Sequence, residues 1–309
     1  MSSNVAFVFP GQGAQSVGMG KDLTDHFPGS RAIFEEADQV LGYPLSRLIF
    51  HGPADELKKT YHTQPALLAT SIAFLEAFKP SVAAPHYVLG HSLGEYSALV
   101  ATGVLSFADA VRIVRARGQF MDEAVPSGQG EMAAVIGLDR EELTLLCEEA
   151  SRGAGLVELA NINSGSQIVI SGTKEGVRAA AALAEARGAK RVLLLEVSGP
   201  FHSSLMKPAA ERLIGVLADV TFREARVPVI ANVSAEPLTD PEAIRQSLIR
   251  QVYSPVLWED SIKRLLAQGV DTFYEIGPGT VLAGLIKKIN RTVTVRSINH
   301  VDALLQCEV

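Results

Sequence analysis

Tyr87-Val88-Leu89-Gly90-His91-Ser92-Leu93-Gly94-Glu95-Tyr96-Ser97-Ala98-Leu99-Val100 decides how the rest of the chain is read. A short apolar run, a G-x-S-x-G turn and a helical stretch follow one another, which is the form of a nucleophile elbow. In such an elbow the serine sits on a tight strand-to-helix turn, its hydroxyl exposed above the positive end of the helix dipole. Glycines at 90 and 94 suit the turn, because a side chain at either place would collide with the strand and helix passing close by. A turn whose small residues serve only packing has the same pattern. A base, an oxyanion hole and a substrate-binding group elsewhere in the chain decide between the two.

Upstream, Val5-Ala6-Phe7-Val8-Phe9 reads as a strand apolar on both faces, as in a parallel sheet covered by helices. It ends at Pro10-Gly11-Gln12-Gly13, where the glycines release the backbone into a tight loop. A dinucleotide fingerprint is excluded there. Ser16 stands where the third glycine belongs, and no acidic residue ends a second strand about 20 residues on. Helices are expected over 30–41, 64–78 and 106–123, the last opened by a capping box of Ser106 and Asp109.

Beyond the loop Pro126-Ser127-Gly128-Gln129-Gly130 the pattern changes. A strand over 132–136, a helix from Asp139 to about 150, strands over 156–162 and 167–171, a helix from Thr173 to 187 and a strand over 191–197 follow. That order is β-α-β-β-α-β, the ferredoxin-like arrangement. After Ser198-Gly199-Pro200 the larger pattern resumes, with strands over 227–231, 272–276 and 293–298 and helices over 241–251, 259–268 and 281–289. The fold class expected is therefore α/β. An α/β-hydrolase-like domain with a mostly parallel sheet, residues 1–126 and 199–309, is interrupted by a ferredoxin-like domain, residues 127–198. Each outer half is short of strands, so the two are expected to complete one sheet.

A formal charge of -6 over 309 residues argues against a nucleic-acid partner, which calls for a basic surface. Cys147 and Cys307 are far apart, without metal-ligand spacing, and read as ordinary thiols in a reducing compartment. No run approaches the roughly 20 apolar residues of a membrane span, and Met1-Ser2-Ser3-Asn4-Val5 has no leader pattern. A cytoplasmic monomer with no membrane contact is expected.

Seven histidines could serve as the base, and His202 stands out among them. It follows Ser198-Gly199-Pro200-Phe201, where the chain returns from the insertion, and clefts form at such junctions. His91 adjoins Ser92, but its side chain leaves the turn in another direction. One oxyanion N–H is expected from Leu93, the residue after the serine, and one from an early loop with the character of Gly11-Gln12-Gly13.

Four motifs stand in order: Phe9-Pro10-Gly11-Gln12-Gly13-Ala14-Gln15, the Gly90–Tyr96 elbow, Gly199-Pro200-Phe201-His202-Ser203 and Gly277-Pro278-Gly279. Together they resemble the malonyl-CoA:acyl carrier protein transacylases of bacterial type II fatty acid synthesis, over residues 5–298. The resemblance implies Ser92 as nucleophile and His202 as general base, with Gln12 and Leu93 as oxyanion donors. It implies that the Gln251 main-chain carbonyl orients the histidine and that Arg117 holds the malonyl carboxylate; His91 and Phe201 join the substrate-binding residues. A planar guanidinium suits that role, since it grips a carboxylate with two parallel charge-assisted hydrogen bonds. In related polyketide acyltransferases a phenylalanine before the histidine goes with malonyl rather than methylmalonyl units, which points Phe201 to steric rejection of an α-methyl group.

Malonyl-CoA and acyl carrier protein are the implied partners, and no metal or redox cofactor is implied. Carrier proteins are acidic, so docking is expected at Arg187, Lys190 and Arg191 or at Lys287, Lys288 and Arg291. The competing readings are a stand-alone polyketide acyltransferase, a serine thioesterase or esterase, and a carrier-binding scaffold with a dead elbow.

Overall fold

Five consecutive buried residues, Val5–Phe9, form strand β1, and a strand buried on both faces must lie within a sheet covered by helices on each side. The computed structural model describes residues 4–79 and 84–306; Cys307 lies outside them. Helices α1 (Lys21–His26), α2 (Pro28–Leu41), α3 (Leu45–His51), α4 (Ala54–Leu57) and α5 (Thr60–Phe78) follow β1. The periodicity predicts α2 and most of α5, whereas α1, α3 and α4 are too short to show a period. Pro65 inside α5 lacks the N–H that would bond the Tyr61 carbonyl, and Arg115 donates to that freed oxygen instead at 2.7 Å.

Strand β2 (Tyr87–Gly90) pairs parallel with β1 and runs through the elbow into α6 (Gly94–Ala101), followed by α7 (Phe107–Glu123). Ser106 caps α7 by accepting the Asp109 N–H. The elbow's glycines are required on steric grounds. A Cβ at Gly90 would lie 1.8 Å from the Gly94 carbonyl carbon, and one at Gly94 would lie 2.1 Å from the Phe9 oxygen.

A second, antiparallel sheet comes next, from β3 (Gly130–Ile136), α8 (Arg140–Gly153), β4 (Val157–Ser164), β5 (Gln167–Thr173), α9 (Lys174–Ala186) and β6 (Arg191–Leu194). Its order is β4-β5-β3-β6. Asp139 and Thr173 cap the two helices through the N–H groups of Glu142 and Gly176. Period-two alternation divides its faces. Ala133, Val135, Ile168 and Ile170 pack with α8 and α9, while Met132, Ala134 and Val169 join the core of the larger unit. Two backbone bonds, Ile162 N–H to Val256 O and Val256 N–H to Ala160 O, tie β4 to that unit. Strand β6 ends at Leu194, so the 191–197 expectation is too long at its end: Leu195 keeps one bond to the Met132 carbonyl of β3, and Leu195-Glu196-Val197 line the cleft described below.

The chain returns through α10 (Lys207–Ala218), β7 (Val229–Ile230), β8 (Pro237–Leu238), α11 (Pro241–Gln251), α12 (Trp258–Ala267), β9 (Thr272–Ile276), α13 (Val281–Ile289), β10 (Thr294–Ile298) and α14 (Val301–Leu305). Helix α10 is absent from the sequence reading, although Ala209, Ala210, Leu213 and Leu217 mark one buried face. The first sheet has the order β10-β9-β1-β2-β7-β8, parallel except for β8. Strands from both outer segments thus complete one sheet, with β1 and β2 at its centre. Gly277-Pro278-Gly279 links β9 to α13, and a Cβ at Gly277 would press on Ser71 and Pro10, so this glycine lets the Gln12 loop settle. Glu275 then accepts the N–H groups of Leu282 and Ala283 at the start of α13. Among the described residues no helix is long and apolar enough to cross a membrane.

Two glycine substitutions should move stability in opposite directions. Gly94→Ala, overlapping backbone, should cost about 3 kcal/mol or more. Gly215→Ala in α10, where an added Cβ meets nothing within 4 Å, should add about 0.5–1 kcal/mol. Urea unfolding midpoints compared with the parent check both; an unchanged midpoint for Gly94→Ala would refute the close-packed elbow.

Candidate active site

The carboxyl ends of adjacent parallel strands form a crevice where α/β proteins place their ligands, and here β1 and β2 end at Pro10-Gly11-Gln12 and at Ser92. Ser92 has φ 51° and His202 φ 59°, a region that non-glycine residues enter only when surroundings force them. Asn232, just after β7, supplies part of that force. Its Oδ1 accepts the Ser92 N–H at 2.8 Å and its Nδ2 donates to the Gly90 carbonyl at 2.7 Å, bracing both sides of the turn.

Ser92 Oγ lies 2.8 Å from His202 Nε2, and His202 Nδ1 lies 2.9 Å from the Gln251 main-chain oxygen. A carbonyl only accepts, so Nδ1 carries the proton and Nε2 offers its lone pair to the serine hydroxyl. No carboxylate occupies the third place. Burial, and then the positive charge of Arg117, push the His202 pKa down to about 3 and keep the ring neutral.

Arg117, on α7, is 1% exposed. Its Nη1 donates to Gln64 Oε1 at 2.8 Å, and its Nη2 donates to Gln251 Oε1 at 2.9 Å and to Ser92 Oγ at 3.2 Å. Nε has no partner among the described residues, and no carboxylate forms an ion pair with the guanidinium. The Tyr96 ring lies 5.5 Å from it. A buried arginine whose partners are two amide oxygens and a hydroxyl is short of negative charge. Glu95, buried beside this network, accepts the Asn232 N–H and donation from Gln251 Nε2; burial pushes its carboxyl up to about 7 against those bonds and Arg117.

A cavity of about 380 Å³ opens onto Ser92, lined also by Gln12, Leu93, Arg117, Phe201 and His202. Among the described residues neither the Gln12 N–H nor the Leu93 N–H has an acceptor in the protein, so both are free for a ligand oxygen. His91 lines the cavity too, but its Nε2 faces Asn163 Oδ1 at 2.8 Å, so the ring ties the elbow to β4 and does not reach the serine. Exposed Lys58 and Glu196 form an ion pair at the rim.

The structure thus gathers Ser92, His202, Gln251, Arg117, Gln12, Leu93, Phe201 and His91 at one place. The basic clusters lie away from the cavity. Lys287 donates to the carbonyls of Arg291 and Val293, Lys288 bonds Gln167, and Arg187 pairs with Glu149. Lys190 packs its stem by Gly137, while Arg191 stands exposed on β6. Gln64, Glu95, Asn163 and Asn232 are additions to the sequence reading. Asn232 could have been suspected from its place after a parallel strand; Gln64, inside an apolar helical run, carries no such signal. Among the described residues no group of three or more His, Cys, Asp or Glu is arranged to hold a metal.

The family model described as "Acyl transferase domain" matches residues 6–303. The malonyl CoA-acyl carrier protein transacylase of Bacillus subtilis is 55% identical over 302 residues, 98% of this chain and 95% of that protein. The Escherichia coli K12 protein of the same name is 51% identical over 300 residues, 97% of each chain. Among solved structures, an acyl carrier protein S-malonyltransferase from Vibrio cholerae superposes with a TM-score of 0.96 at 46% identity, covering 98% of this chain and 99% of that one. A malonyl-transacylase bound to a type II polyketide acyl carrier protein gives the same TM-score and identity, covering 99% of each.

Because His202 stays neutral far below 6.5, reaction of Ser92 with an uncharged fluorophosphonate should lose no rate between pH 7.5 and 5.5. His202→Ala should slow it by about 100-fold or more. An acid limb centred near 6.5 would mean that the ring is solvated. The same depressed pKa withholds a proton that the unfolded chain takes up, so the stability it contributes is full above about 6.5 and declines from there toward pH 3.

Proposed function

The chain belongs to the acyl transferase domain family, and from that premise we propose that Ser92 carries a malonyl group between two thiols. The enzyme moves malonyl from malonyl-CoA to acyl carrier protein. The observation that carries the site assignment is Arg117: a buried guanidinium without a carboxylate, with Nη2 3.2 Å from the Ser92 oxygen. A malonyl group brings the missing carboxylate on the very acyl chain whose carbonyl Ser92 attacks.

The reaction runs in two halves. His202 Nε2 takes the Ser92 proton as Oγ bonds to the thioester carbonyl carbon. The oxyanion lies on the N–H groups of Gln12 and Leu93. The C–S bond then breaks, the coenzyme A sulfur takes the proton from His202, and malonyl-Ser92 remains. The phosphopantetheine thiol of the carrier protein gives its proton to His202 and attacks the ester. The carbon–Oγ bond breaks and His202 returns the proton to Ser92. Every proton and charge in this sequence is handled by side chains and N–H groups of the chain, so the reading needs no cofactor.

We read residues 1–126 and 199–309 as an α/β-hydrolase-like catalytic domain and 127–198 as a ferredoxin-like insertion; the second sheet's order and separate helical core support this. The exposed large apolar side chains are mostly scattered, which supports a monomer, and a cytoplasmic setting suits its thioester substrates. For carrier docking we favour Lys190 and Arg191, because β6 runs on into the cavity rim at Leu195 and Glu196; the other cluster spends Lys287 on backbone carbonyls. A polyketide carrier protein is a second acceptor to consider, since one structural relative is complexed with such a protein.

Mass spectrometry of the protein mixed with malonyl-CoA should show one added malonyl group, absent from Ser92→Ala. Arg117→Lys keeps the charge but loses the fork, and should transfer malonyl about 100-fold more slowly; a near-parental rate would remove Arg117 as the clamp. Phe201→Ser should raise methylmalonyl relative to malonyl turnover by about 10- to 200-fold. Unchanged selectivity would take Phe201 out of the argument.

A further inference from the structure

Glu95 is the second residue of α6, three residues after the nucleophile, and is buried without touching the cavity. One of its oxygens, Oε2, accepts two N–H groups: the Asn232 main chain at 3.1 Å and Gln251 Nε2 at 2.9 Å. Asn232 braces the elbow at Ser92 and Gly90. Gln251 gives its second amide proton to the Ser92 carbonyl at 2.9 Å, which leaves Oε1 turned toward Arg117.

The direction of that amide is the crux. Turned by half a rotation, Gln251 would present NH2 to the guanidinium, donor against donor, and Arg117 would lose the contact that aims Nη2 at the reacting serine. Ser92 O, Asn232 Oδ1 and Glu95 Oε2 all accept near Nε2, but the Asn232 contact is 3.3 Å long and that oxygen is already engaged by the Ser92 N–H. An amide has two protons. They go to the two acceptors at 2.9 Å, so Glu95 supplies one of the two good contacts that set the flip.

We propose that Glu95 is a positioning residue, whose Oε2 fixes the Gln251 side-chain amide and through it the angle at which Arg117 receives the carboxylate of the acyl group. This rests on the reading of Arg117 as the carboxylate clamp. Glu95 contacts neither substrate nor the reacting atoms. Acting through Gln251 on Arg117, its effect falls most heavily on substrates that carry a carboxylate, while its bond to the elbow-bracing Asn232 weighs equally on those that do not. A residue that merely stabilised the elbow would affect both alike.

The test separates geometry from charge. Glu95→Gln keeps an oxygen where both N–H groups can find it and removes the charge; Glu95→Asp keeps the charge and withdraws the oxygen by one methylene. Ser92 acylation by malonyl-CoA and by acetyl-CoA is measured for each as kcat/KM. Glu95→Asp should lose about 10- to 100-fold with malonyl-CoA and less than about threefold with acetyl-CoA, while Glu95→Gln keeps the parental ratio. Equal loss with both donors, or loss of the ratio in Glu95→Gln with its retention in Glu95→Asp, overturns the proposal. Arg117→Ala serves as the reference. If it leaves the malonyl-to-acetyl ratio unchanged, the clamp reading itself fails; if it abolishes the ratio and Glu95→Asp does not, only the role of Glu95 fails.

Discussion

A guanidinium buried without an anion governs the chemistry of this structure. Arg117 is held by two amide oxygens and faces an aromatic ring, contacts that supply acceptors but no full negative charge. Its field reaches His202, Glu95 and Tyr96. It adds to burial in holding His202 neutral, and it opposes burial at Glu95 and Tyr96. An imidazolium next to that cation is unfavourable until an anion arrives. In the malonyl transfer proposed above, a carboxylate seated on Arg117 would offset the repulsion as His202 takes the serine proton, so the acyl group's own charge would favour the step that attaches it.

This also bears on why a serine–histidine pair can work without an acid behind it. The Gln251 carbonyl that receives His202 Nδ1–H belongs to the last residue of α11. Carbonyls in a helix's last turn have no partner within the helix and carry the negative end of its dipole. That partial charge steadies an imidazolium while adding no formal anion that would compete with the substrate for Arg117. Gln251 thus holds His202 through its main chain and Arg117 through its side chain.

What could be read in the sequence divides along the range of the interactions. The elbow is local: Gly90 and Gly94 are required by atoms within five residues or by the strand directly alongside. The second sheet is legible because the caps Asp139 and Thr173, each one residue before its helix, announce its helices and its strands alternate. The apolar run over 227–231 marks β7, though the strand itself is shorter, whereas β8 and the helices α1, α3 and α4 carry too few residues for a period. At the site, Arg117 is one of several arginines on α7 and was singled out by resemblance, not by pattern. Asn232 and Glu95 meet across 137 residues, and Arg117 and Gln251 across 134, distances over which a single chain leaves no local trace.

The second sheet also holds the site together. His202 comes four residues after Ser198, so its position depends on how the returning chain is anchored. Ser198 donates to Asp122 at 2.5 Å and meets Thr60 at 2.8 Å, and Thr60 accepts from the Gln12 side chain at 3.4 Å. This file of hydrogen bonds runs from the end of α7, past the return from the second sheet, to the loop that carries the unpaired Gln12 N–H. On the other side, Asn163 of β4 holds His91, the residue before the nucleophile. The second sheet therefore grips the Gln12 loop, His202 and the elbow from outside, and the two backbone bonds between β4 and Val256 keep it from turning away. A rigid clasp of this kind is what a site needs when its nucleophile and base both sit in strained backbone conformations, because the strain persists only where several independent contacts oppose its release.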